Sequence, residues 1–121
     1  MCIKLLKRNM MNNNITEDYV SFEVAKLLKE KGFEWYSTEG VWQDGIPCPT
    51  QALAIKWIRL NFGIHISFLL RHEDKISYDF YIEKIEITNE YKTIGPEEFF
   101  YYESPEEAAD AALLYTLKHL I

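Results

Sequence analysis

Two runs of alternating apolar residues restrict this chain more than any other feature. Ile64, Ile66, Phe68 and Leu70 recur at every second position, and so do Ile76, Tyr78, Phe80 and Ile82. A period of two is the mark of a strand with one covered face. The polar residues His72-Glu73-Asp74-Lys75 join the runs. A connection this short cannot carry a crossover helix, so the strands must pair antiparallel. A lone hairpin is marginal in water, and the rest of the chain has to cover its apolar side. After Ile82 the apolar positions slip in phase to Ile85 and Ile87. That slip predicts a β-bulge or a break near Glu83-Lys84.

Three helices supply the cover. The first runs from Ser21 to Lys31, with Val24, Ala25, Leu27 and Leu28 on one stripe and Gly32 as its left-handed stop. Ser21 or Thr16 caps its start. The second spans Thr50 to Phe62 between a threonine cap and Gly63, with Leu53, Ala54, Trp57, Ile58 and Leu60 forming a broad apolar face. Trp57, inside that stripe, reads as core. The third opens on Ser104-Pro105-Glu106-Glu107, which combines a serine cap, proline at the first helical position, acids in the first turn and the spacing of a capping box. Its four alanines, Ala108, Ala109, Ala111 and Ala112, permit close approach to a sheet or another helix. Phe99–Tyr102 reads as a further strand. Trp35-Tyr36 and Val41-Trp42 read as a short hairpin turned at Thr38-Glu39-Gly40, and Asp44-Gly45 marks the next turn.

The expected architecture is therefore α+β, in two layers: three helices packed on a small antiparallel sheet of 3–5 strands. The 121 residues suffice for one domain. Residues 15–121 read as that domain and residues 1–14 as a disordered tail, in which Met10 and Met11 are alternative starts. No apolar segment approaches the roughly 20 residues needed to span a bilayer. The N-terminal patch is also too short for a secretory signal. Free thiols at Cys2 and Cys48 suit a cytoplasmic location.

Charge narrows the range of partners. The chain has 13 basic and 19 acidic residues, a net of −6. Lys4, Lys7 and Arg8 stand in residues 1–14, so residues 15–121 carry 10 basic against 19 acidic groups, a net of −9. Twelve of the acids, against four lysines, lie beyond residue 72. Such a balance opposes binding to nucleic acid or to an anionic membrane, both of which require a basic face. It favours a protein partner with a basic surface.

No constellation for catalysis stands out. The five glycines do not form a phosphate cradle, no serine sits in a nucleophile elbow, and no cysteine pair has zinc spacing. The sequence thus predicts no catalytic residue, no metal site and no cofactor. Asp79, flanked by Tyr78 and Phe80, is the one acid inside an apolar run, and with His65, Tyr81 and Cys48 it would define any small-molecule pocket. The simpler expectation is an ordinary Asp79 on a solvent-facing strand surface. His72, beside Glu73 and Asp74, reads as part of a solvated turn. Trp35, Tyr36, Trp42, Tyr101 and Tyr102 are the candidate binding residues, because exposed tryptophan and tyrosine dominate protein interfaces. The alternative for the Trp35–Trp42 segment is a cover over one end of the core.

Three segments, Ser21–Phe33 (SFEVAKLLKEKGF), Cys48–Trp57 (CPTQALAIKW) and Ser104–Ile121 (SPEEAADAALLYTLKHLI), resemble short proteins of gut Bacteroides-group bacteria and their phages and mobile elements. With the shared order of elements, the resemblance covers about two thirds of the chain. These motifs are structural, and the family has no assigned activity, so the resemblance implies a bacterial or phage setting and no site residue. The chain departs from the pattern in residues 1–14 and in the loop at 34–46. The expected function is a non-enzymatic, protein-binding accessory protein of phage or mobile-element origin. The alternatives are a small-molecule-binding protein or small enzyme near Asp79 and His65, and a structural or self-assembling subunit. Oligomeric state is left open.

Overall fold

A computed structural model describes residues 17–34, 41–72, 75–85, 91–95 and 102–121. The elements run α1 (Phe22–Glu30), β1 (Val41–Gln43), β2 (Ile46–Cys48), α2 (Gln51–Phe62), β3 (Ile64–His72), β4 (Ile76–Ile85), β5 (Tyr91–Gly95) and α3 (Pro105–His119). The fold is α+β, with a three-stranded sheet in the order β3-β4-β5 and a separate β1-β2 hairpin, all pairings antiparallel.

The alternating runs form the hairpin as expected. β3 and β4 pair without interruption from Ile64↔Lys84 to His72↔Ile76. A bulge lies at the expected place, but its extra residue is on the partner strand. β4 has no inserted residue against β3. Instead Ile82 faces Gly95 while Glu83 faces Thr93, which leaves Ile94 of β5 as the extra residue. Below β5, the same edge of β4 is taken by Tyr102, which bridges Tyr78. Residues 99–101 of the expected Phe99–Tyr102 strand lie outside the described residues.

Each helix starts where its cap dictates. The hydroxyl oxygens of Ser21, Thr50 and Ser104 accept hydrogen bonds from the amides of Val24 (3.3 Å), Leu53 (3.2 Å) and Glu107 (3.2 Å). In α3 the capping carboxylate reaches past Ser104: Glu107 Oε2 accepts from the Glu103 amide at 3.1 Å. α1 ends in a Schellman arrangement. The Phe33 amide donates to the Leu28 carbonyl and the Gly32 amide to the Lys29 carbonyl, with Gly32 at φ +101°. Two links tie the start of α1 to the other helices: Ser21 N donates to Asp110 Oδ1 at 2.9 Å, and Val20 N to the Pro49 carbonyl at 3.0 Å.

The core lies between the helices and one face of the sheet. Leu28, Ile58, Ile64, Ile82, Leu113 and Leu117 are fully buried there, each such side chain contributing about 1.5–3 kcal/mol. Ala108, Ala109 and Ala112 are buried on α3, as close approach to the sheet requires. Thr116 joins them because its hydroxyl donates to the Ala112 carbonyl at 2.8 Å.

Two expectations need correction. The buried side of α2 is Ala54 and Ile58, while Leu53 and Leu60 point outward, Leu60 at 69% exposure. Phe68 and Leu70 share the apolar face of β3 yet are 39% and 45% exposed, whereas Ile64 and Ile66 are buried. The nine residues of β3 extend about 30 Å, but the twelve of α2 reach only about 18 Å, so the hairpin outruns its cover. The turn expected at Asp44-Gly45 is present and joins β1 to β2. Trp42 pairs with Pro47, and the positive φ values of Asp44 (50°) and Gly45 (77°) mark a turn of type I′. Thr38-Glu39-Gly40 lies outside the described residues.

Candidate functional site

The type I′ turn folds β1 back on β2, and α1 packs on β2. The hairpin thereby stands beside the capped end of α1. Between them is an open groove of about 420 Å³, lined by Lys29, Gly32, Phe33, Trp42 and Pro47 among others. Trp42 forms one wall and is 45% exposed. Phe33 also lines the groove, is itself buried, and is held by the Schellman cap and by an edge-to-face contact with Trp57, ring centres 5.4 Å apart. Lys29 and Glu34 place one charge of each sign at the rim. An open groove with an indole on one side suits the insertion of a partner's side chain. Among the described residues that line it, none is a nucleophile paired with a base.

The other predicted binding residues do not join Trp42. Tyr102 is half buried, lies nearly parallel to the Phe80 ring with centres 6.1 Å apart, and exchanges backbone hydrogen bonds of 2.8 and 2.9 Å with Tyr78. Burial, and behind it the negative charge of Asp79, push its phenol above the ordinary value of 10.0. Tyr102 closes the sheet edge and does not stand out as a platform. Trp35, Tyr36 and Tyr101 lie outside the described residues.

Asp79 is not an ordinary surface acid. It is 3% exposed, on the sheet face opposite the helices. Its Oδ2 accepts from Arg71 Nε at 3.3 Å and Nη2 at 3.2 Å, and its Oδ1 accepts from the Phe80 amide at 2.8 Å. The hairpin register explains the pair. Arg71 stands opposite Ser77, which makes Asp79 its diagonal neighbour on the same face. Asp79 and His65 share that face but sit at opposite ends of it, Asp79 across from Leu69 and His65 across from Glu83. His65 is exposed, and Tyr81 is 38% exposed. Cys48 is buried, and burial raises its thiol above the usual 9.0 against a smaller lowering by the backbone of Gln43. That is the opposite of what a nucleophilic thiol requires. Among the described residues no three His, Cys, Asp or Glu side chains cluster as metal ligands would, and no helix is long and apolar enough to cross a membrane.

A second surface was hidden from the sequence pattern. At the end of the helix layer where α2 and α3 begin, an open groove of about 300 Å³ is lined by Glu17, Asp18, Ile55, Phe68 and Glu106 among others. Beyond it the hairpin continues, with Leu70 at 45% and Ile76 at 59% exposure. The fold and these surfaces define a small α+β domain with apolar side chains turned to solvent at two places. No known protein family, curated protein or solved structure matches the chain.

Proposed function

We propose that this chain is a non-enzymatic accessory protein of phage or mobile-element origin, which holds a protein partner in the cytoplasm of a bacterial host. The observation that carries the reading is the exposed indole of Trp42 in an open groove that Phe33 and Pro47 also line. Interface hot spots are enriched in tryptophan, and an aromatic that stays half exposed in the free protein has area left to bury. The net charge of −6 supports a partner with a basic surface.

The test is capture from host lysate by wild-type protein and by Trp42→Ala, with both shown by circular dichroism to be folded. The wild type retains a partner that the variant loses, and retention weakens as salt rises. A partner held equally by both proteins, or no partner at all, overturns the reading. A second reading, a self-assembling subunit, is favoured by a separate observation, the long outer edge of β3, which no strand among the described residues pairs.

A further inference from the structure

The backbone of β3 can be oriented from a bond on the far side of β4. Tyr78 both donates to and accepts from Tyr102, so its N–H and C=O both point away from β3. Its partner on β3 is Leu70, in a ladder without register shift. Leu70 and Tyr78 are therefore a non-hydrogen-bonded pair, and Leu70 likewise turns both backbone groups outward. Alternation assigns the same outward direction to Ile64, Ile66, Phe68 and His72, while His65, Ser67, Leu69 and Arg71 carry the ladder to β4. Among the described residues no strand lies on this outer edge.

Among the described residues the edge has few of the usual protections. β3 is nine residues long, contains no proline or lysine, and has no bulge against β4. The residues that offer their backbone are also those whose side chains lie on the incompletely covered face. Phe68 and Leu70 are 39% and 45% exposed, and Ile76 beside them on β4 is 59% exposed.

We propose that β3 pairs antiparallel with β3 of a second copy, joining two three-stranded sheets into one continuous sheet across a two-fold axis. The self-complementary strand selects a second copy, and its own composition permits the pairing. Residues 45–72, which include all of α2 and β3, contain no Asp or Glu, although the chain has 19 acids and a net charge of −6. Paired along β3, two acidic chains set no carboxylate within the strand pairs, while Glu17, Asp18 and Glu106 stand at the groove that Phe68 lines. Arg71, the one charged side chain of the strand apart from its histidines, is already engaged by Asp79. The geometry is self-complementary as an isologous interface must be. An axis at Phe68 sets Phe68 opposite its copy and Ile66 opposite Leu70, all residues with outward backbone groups. On the other face it sets Ser67 opposite Leu69 and His65 opposite Arg71, with no acid in any pair. The exposed Phe68 and Leu70 of each copy are then covered by those of the other. The inference is independent of the Trp42 groove, and neither result decides the other.

Sedimentation of the full chain from about 5 to about 500 µM tests it by mass action. The mass should rise from 14.3 kDa towards twice that value. Over the same range, hydrogen exchange at the Ile66, Phe68 and Leu70 amides should slow by about tenfold or more, because edge amides with no partner become ladder amides. Leu70→Lys places a charge on the edge and should hold the protein at 14.3 kDa with an unchanged circular dichroism spectrum. If that variant does not fold, the wild-type exchange rates still decide. A mass that stays at 14.3 kDa throughout overturns the proposal. So does a dimer in which those three amides exchange as fast as in dilute protein.

Discussion

Asp79 and Arg71 do not share their ion pair equally, and the inequality can be measured. The Asp79 side chain is 4% exposed and that of Arg71 16%, so the carboxylate bears more of the desolvation. Arg71→Met keeps the aliphatic stem but removes both donors to Oδ2, leaving a buried carboxylate held by the Phe80 amide alone. A buried charge stripped of its partner costs about 3–5 kcal/mol. Asp79→Asn removes the buried charge and keeps an acceptor for the Phe80 amide, which limits its cost to about 1–2 kcal/mol. The double variant contains no buried charge and should be more stable than Arg71→Met alone. Urea unfolding followed by tryptophan fluorescence reads these differences. With a slope near 1.5 kcal/mol/M, a loss of 3 kcal/mol lowers the midpoint by about 2 M. If Asp79→Asn fails to rescue Arg71→Met, the carboxylate is not the group that burial penalises, and the reasoning is refuted.

Two further outcomes follow from titrating groups. The raised pKa of Tyr102 means that the folded state holds its phenolic proton more tightly than the unfolded chain. Its contribution to stability is therefore complete below about pH 10 and declines as the pH rises through the unfolded value. Tyr102→Phe should flatten the fall in melting temperature between pH 9 and 11, and an unchanged slope would show that other groups control it. In a Cys2→Ser background, Cys48 should react with an aromatic disulfide reagent only as fast as the protein opens, because its thiol is buried and its pKa raised. Mild urea should accelerate that labelling, and immediate labelling in buffer would contradict the buried placement.

What was legible in the sequence was whatever depends on neighbours along the chain. Thr50 and Gly63 bracket α2, Ser104 opens α3, and the alternation from Ile64 to Ile82 dictates an antiparallel pair, because caps and pleats act over a few residues. The burial of Asp79 escaped because alternation says only that it shares a face with Ser77 and Tyr81. A polar turn over 72–75 would set Arg71 opposite Ile76, whereas His72 in fact pairs with Ile76 and Arg71 with Ser77, which places Arg71 diagonal to Asp79. For the binding residues, aromatic identity selected Trp42 and Tyr102 alike. Only the bridge to Tyr78 and the contact with Phe80 separate a structural tyrosine from an exposed tryptophan. The groove beside Trp42 depends on Phe33, which reads in sequence as the end of a helix and in space as a wall.

The uncovered end of the hairpin rests on a comparison that periodicity does not make. A hydrophobic pattern identifies which face of a strand seeks cover, but not how far the cover extends. A strand advances about 3.3 Å per residue and a helix about 1.5 Å, so nine residues of strand need about twenty of helix laid along them. α2 has twelve residues and α3 fifteen. Their lengths are set by Thr50 and Gly63 at the ends of α2 and by Ser104 at the start of α3, all local signals. Both helices begin at the groove that Phe68 lines, so the deficit accumulates on one side, over Phe68, Leu70 and Ile76. Extending the helices would have removed it, and so would a charge at Leu70 or a proline on β3. The strand has neither charge nor proline at the exposed positions, and the apolar surface coincides with a backbone edge that no strand among the described residues pairs. Solvent exposure and pairing capacity therefore converge on the same residues, which is the arrangement expected of a strand that is completed by another chain.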